Sequence, residues 1–178
     1  MFSRLGAASR PLIRRKPWAA TAPICSFVVL AGLLAACSPS VRVAPAQASA
    51  DPRCAAMMVA LPDVLDGQQL RETSSQGTAV WGDPAKIVLR CGVAPPGPTT
   101  DPCATVNGVD WLIRQAEGAD EADSELYTVT SYGRVPATEL TFSQKEVSSN
   151  NILAQLTTAA SKIPQQRRCL GPADLATL

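Results

Sequence analysis

Residues 52 to 178 predict an α+β fold, a small antiparallel sheet of about five strands with two helices packed on one face, stapled by disulfides. Three observations predict it. Short runs rich in β-branched and aromatic residues alternate with Gly, Pro, Asn and Asp breaks. Two segments with helical spacing of apolar residues frame those runs. Four cysteines, an even number, are spread along the same stretch.

The first element is a short helix over Pro52 to Leu61. Pro52 suits a first helical turn, Cys54, Met58 and Leu61 share a face, and Pro62 ends it. Asp66-Gly67 to Gly77 is polar and reads as a loop with at most one turn of helix. Thr78 to Trp81 and Lys86 to Cys91 read as strands joined across Gly82-Asp83-Pro84. Ile87-Val88-Leu89 is apolar on both faces, as an inner strand requires. Ala104 to Val106 and Val109 to Arg114 flank Asn107-Gly108, the strongest hairpin signal in the chain. Alternation puts Val109, Trp111 and Ile113 on one side and Asp110, Leu112 and Arg114 on the other. Glu117 to Glu125 is an acidic loop, Leu126 to Tyr132 a strand, Gly133 to Pro136 a break, and Ala137 to Phe142 extended again. A last helix, Asn151 to Ile163, follows the capping residues Ser148, Ser149 and Asn150 and stops at Pro164. Its apolar stripe is Ile152, Leu153, Leu156, Ala160 and Ile163.

Cys54, Cys91, Cys103 and Cys169 point to two disulfides and an oxidising compartment. Structural zinc favours closely spaced cysteine pairs, whereas the nearest two here are twelve positions apart and the chain has no His. Of three possible connectivities, Cys91 with Cys103 is favoured because Pro95-Pro96-Gly97-Pro98 turns the chain between them. That leaves Cys54 with Cys169, a long closure expected to contribute about 4 to 5 kcal/mol against about 3 for the short one.

Ahead of the domain, residues 1–36 carry Arg4, Arg10, Arg14, Arg15 and Lys16, no acid, and a largely apolar run from Trp18 to Ala36. This is the layout of a secretory signal. Leu34-Ala35-Ala36-Cys37 resembles the lipobox of bacterial lipoproteins, which favours a lipoprotein site over an uncleaved transmembrane anchor. The resemblance implies that Cys37 is acylated and becomes the first residue of the mature chain, with membrane lipid as its partner. Arg14-Arg15 leaves the twin-arginine route open beside general secretion. Residues 37–51, rich in Ser, Pro and Ala, read as a flexible tether to a single domain spanning 52–178.

Five of the 16 Lys and Arg precede Cys37 and all 15 Asp and Glu follow it, so the mature chain is 11 minus 15, or −4. That excludes a nucleic-acid partner and a polybasic grip on anionic lipid. The absence of His rules out Ser-His-Asp and Cys-His catalysis. Gly92 to Gly97 has phosphate-loop spacing, but Pro98 stands where Lys is needed. The acidic residues Glu117, Asp120, Glu121, Asp123 and Glu125 lack the Gly and terminal Glu of an ordered calcium loop and read as a solvated turn, so no metal and no cofactor are expected. Arg90, Asp110, Trp111, Tyr132 and Arg134 are the candidate ligand face. A strand Arg–Asp pair fixing register is the plainer reading of them, and an anion- or carbohydrate-binding face the sharper one.

Trp81-Gly82-Asp83-Pro84, Leu89-Arg90-Cys91-Gly92-Val93, Cys103, Val109-Asp110-Trp111 and Tyr132-Gly133-Arg134-Val135-Pro136-Ala137 together resemble a family of exported actinobacterial proteins known only as a domain of unknown function. The likeness covers roughly residues 52 to 171 and implies a Gram-positive envelope protein on the outer face of the cytoplasmic membrane. It transfers no catalytic residue. The expectation is therefore a lipid-anchored, non-catalytic module that binds an envelope protein or a cell-wall component. The alternative is an envelope enzyme using Asp or Glu with Arg on a wall polymer, for instance through Asp110 and Glu139.

Overall fold

A computed structural model describes residues 40–117, 119 and 125–170. It contains helix α1 (Pro52–Val59), eight strands, and helix α2 (Ser149–Ala160). The strands are β1 (Val64–Leu65), β2 (Gln68–Arg71), β3 (Thr78–Trp81), β4 (Ile87–Val93), β5 (Cys103–Val106), β6 (Val109–Gln115), β7 (Leu126–Ser131) and β8 (Ala137–Ser143). They form one sheet in the order β1-β2-β3-β4-β8-β7-β6-β5, with every neighbouring pair antiparallel. Two four-stranded meanders are thus joined where β4 meets β8.

The sheet has eight strands rather than about five. The unexpected pair is β1 and β2, a two-residue hairpin turned by Asp66 (φ 48°) and Gly67 (φ 76°). Asp-Gly is the signal for this turn, but its strands are too short and too polar to show a hydrophobic alternation. Asn107 (φ 48°) and Gly108 (φ 79°) form the expected turn between β5 and β6. Asp83–Pro84 and Val135–Pro136, at the turns after β3 and before β8, are cis.

Both helices lie on one face of the sheet. Ile87, Leu89 and Cys91 of β4, Leu140 and Phe142 of β8, Val129 of β7 and Val109 and Trp111 of β6 alternate onto that face and are buried. Against them pack Ile152, Leu153, Leu156, Ala159 and Ala160 of α2, with Cys54 and Met57 of α1. The buried stripe of α1 therefore turns on Met57, with Met58 only half-buried. Trp81 is buried with its indole N–H donating to the Pro62 carbonyl at 3.0 Å, which satisfies the polar end of a large apolar group.

Neither favoured disulfide forms. Cys54 joins Cys91, and Cys103 joins Cys169. The reason is topological. Cys91 projects from central β4 toward α1, while Cys103 sits on edge strand β5 beyond β8, β7 and β6, and four strand spacings of about 4.8 Å put a direct bond out of reach. The Pro-rich connection does not double back to Cys91; it crosses the sheet.

Residues 41–51, expected to belong to a tether, pack on the domain. Val41 forms a parallel bridge with Thr73, donating to the Glu72 carbonyl at 2.8 Å and accepting from the Ser74 amide at 3.0 Å. Ala46 is buried, the Ala48 amide donates to the Gly92 carbonyl at 3.0 Å, and Asp51 caps α1 through the Arg53 amide. Among the described residues no helix is long and apolar enough to cross a membrane. Cys37, residues 1–36, Asp120, Glu121, Asp123 and residues 171–178 lie outside the described residues.

Candidate functional site

The sheet face away from the helices is largely polar, with Leu112 and Thr130 buried and Arg90, Thr128, Glu139 and Thr141 half-buried. Arg90, Glu139, Thr130, Leu112 and Cys103 stand in register across β4, β8, β7, β6 and β5, and Thr141, Thr128 and Arg114 form the next row. The connection from β4 to β5 must reach the far edge of the sheet, and its residues 98–101 border this face beside Leu112. There the Arg114 Nε donates to Asp101 at 2.7 Å and the Ile113 amide to the Pro102 carbonyl at 2.9 Å. The Thr99 hydroxyl, with Arg114 beside it, holds the Asp101 carboxyl below its ordinary range.

Two adjoining hollows result. One, of about 350 Å³, is bounded by Arg90, Arg114, Thr128, Thr130, Glu139 and Thr141. The other, of about 620 Å³, lies between residues 98–101, Leu112, Tyr132 and the 168–170 segment. Leu112 of the second pairs with Thr130 of the first across β6 and β7, so the two hollows, together termed the trough, are neighbours on this face. Their sizes fall in the range of small-ligand sites.

Arg90 is tied to Glu139, its Nε and Nη2 donating to one carboxylate oxygen at 3.1 and 2.5 Å. Asp110 belongs to the same face but is buried beneath the chain that follows α2. It accepts from the Thr105 hydroxyl at 2.6 Å, the Gln165 amide group at 2.9 Å and the Cys169 backbone N–H at 2.7 Å. Arg134 is 5% exposed and donates to the carbonyls of Ile163 and Gly108. Burial pulls its guanidinium below its ordinary value, and the charge of Asp110 opposes that pull. The Arg134 Nε and the Trp111 indole N–H are buried without a hydrogen-bond partner.

The five residues expected to form a ligand face are thus divided. Arg90 and Tyr132 line the trough. Asp110 and Arg134 instead hold the C-terminal segment onto the sheet, and Trp111 is wholly buried in the core on the helix side. The residues that sequence reasoning passed over are Thr128, Thr130 and Thr141. Their spacing in Leu126-Tyr-Thr-Val-Thr and Thr138-Glu-Leu-Thr-Phe is a period-2 signal for a polar sheet face.

Chemically the trough offers hydroxyls, which both donate and accept, beside charges neutralised in pairs and the apolar flanks of Leu112 and Tyr132. Asp110 has both carboxylate oxygens engaged, and the Glu139 Oε1 accepts both bonds from Arg90. Among the described residues no cluster of three or more metal-ligating side chains occurs.

Residues 19–168 match a protein family described as a protein of unknown function (DUF3515). The chain belongs to that family. The match takes in every described strand and both helices, so the trough and both disulfides are built from family-matched sequence, apart from Cys169 and Leu170, which lie just beyond it. No curated protein and no solved structure matches the chain.

Proposed function

We propose that this DUF3515 chain is an actinobacterial envelope lipoprotein, anchored through acylated Cys37 on the outer face of the cytoplasmic membrane. Its domain is a non-catalytic binding module whose ligand, an envelope protein or wall component, sits in the trough. One observation carries the reading. All four cysteines of the domain are joined in two disulfides, as an oxidising compartment favours, and the cysteine left over after the signal is the one in Leu34-Ala35-Ala36-Cys37. Binding is favoured over catalysis because Asp110 is engaged by the C-terminal segment and Glu139 is ion-paired with Arg90.

The test is metabolic labelling of the full chain with an alkyne fatty acid, followed by detergent phase partitioning. The wild-type chain should carry label and enter the detergent phase, while Cys37→Ala should do neither and should keep its signal. Normal labelling of Cys37→Ala would overturn the anchor.

A further inference from the structure

Four large apolar side chains are exposed among the described residues: Val59, Val64, Leu70 and Leu170. Two of them flank one continuous surface. Met58 of α1 lines both a hollow of about 370 Å³ that includes Ala55 and Val59 and a hollow of about 490 Å³ that includes Leu61 and Leu70. Val59 is 89% exposed, the cost of which is not explained by anything packed on it. The second hollow also takes in Thr73, the residue that Val41 bridges. The apolar surface therefore begins where the N-terminal segment first attaches to the domain.

Chain length fixes what this surface meets. From Cys37 to Val41 is four residues, at most about 14 Å of fully extended chain. Accepting the reading that Cys37 carries acyl chains in the bilayer, on which this step rests, Val41 cannot leave the headgroup region by more than that distance. We infer that the apolar flank of Ala55, Met58, Val59, Leu61 and Leu70 rests on the lipid surface. A weak contact is enough, since so short a link keeps the flank at millimolar effective concentration or above. Asp63, Arg71 and Glu72 rim the second hollow without a cationic excess, so the contact is with acyl chains and neutral headgroups rather than anionic lipid. The orientation has a functional consequence. Leu170 and the Cys103–Cys169 end of the trough lie six strands from β2, about 30 Å at 4.8 Å per strand, and are displayed away from the membrane.

The test places a tryptophan at Val59, Leu70 or Leu170 in the full acylated mature chain, reconstituted in phosphatidylcholine vesicles with brominated acyl chains. The native Trp81 and Trp111 are fully buried and give a constant background. Val59→Trp and Leu70→Trp should be quenched at least twofold more than Leu170→Trp, and Val59→Glu should abolish the difference for Leu70→Trp. Equal quenching at all three sites in a chain whose Cys37 is acylated by mass spectrometry would overturn the lipid-facing flank and leave the anchor standing. A Cys37 without acyl chains would remove the anchor and this inference together.

Discussion

At the scale of single residues, Asp110 decides whether the C-terminal segment is part of the domain. Its carboxylate gathers Thr105, Gln165 and the Cys169 amide, with buried Arg134 as the opposing charge. Asp110→Asn can keep all three contacts, since the new amide donates to the Thr105 hydroxyl and its oxygen still accepts twice. Only the charge is lost, at about 1 kcal/mol. Asp110→Ala strands several donors and leaves Arg134 without its counter-charge, which costs about 2 to 4 kcal/mol. Urea denaturation of the two variants should show that gap, and equal losses would mean that charge alone matters here. Gly133 serves the same attachment. At φ 71° a Cβ there would stand 1.9 Å from the Arg167 carbonyl oxygen, so only glycine lets the segment lie this close.

At the scale of elements, the two disulfides have similar loops and different surroundings. Closures of 37 and 66 residues are each worth about 4 kcal/mol in the chain-entropy model, a difference too small to rank them. Burial ranks them. Cys54 and Cys91 are 1% and 0% exposed and fasten an eight-residue helix to the central strand, whereas Cys103 is exposed on an edge. A helix of two turns has little stability of its own. Cys54→Ala/Cys91→Ala should therefore lose about 1 to 2 kcal/mol more than Cys103→Ala/Cys169→Ala, because it also leaves a core void. The second pair should instead raise amide exchange at residues 164–169 while β4 and β8 stay protected. Matching exchange patterns would contradict this division. The same contrast explains what was legible in advance. The β5–β6 hairpin and the stripe of α2 are local, set by Asn107-Gly108 and by Ile152, Leu153 and Leu156, and appear where expected. Which cysteine meets which depends on strand order, and no local pattern states that β5 lies at the far edge from β3.

At the scale of the whole molecule, the trough was half legible for the same reason. Alternation assigns Asp110, Leu112 and Arg114 to one face of β6, but whether a terminal segment covers them is a property of the finished fold. The N-terminal segment poses the question in its sharpest form, because its composition describes a tether and its contacts describe a segment packed on the domain through one isolated bridge and a few hydrogen bonds. Ser, Pro and Ala give a segment little apolar area with which to offset the entropy of ordering. Val41 to Asp51 overcome this by backbone hydrogen bonds to residues 72, 74 and 92, one buried side chain, Ala46, and a close approach at Gly92, where a Cβ would lie 2.4 Å from the backbone of Ala48. Replacing residues 41–48 by a Gly-Ser repeat of equal length keeps the backbone groups but removes the Ala46 side chain and raises the entropy cost of ordering the segment, which should detach it while leaving the Asp51 cap and any acyl anchor intact. Three hydrogen bonds at about 1 kcal/mol each and one small buried side chain set the expected loss at about 2 to 4 kcal/mol, partly offset by the regained freedom of eight residues. The thermal midpoint should fall by several degrees, with amide exchange rising at Gly77 and Cys91, beside the vacated groove. A free tether would give an unchanged midpoint, and the proposed lipid-facing flank would then lose the short link on which it rests.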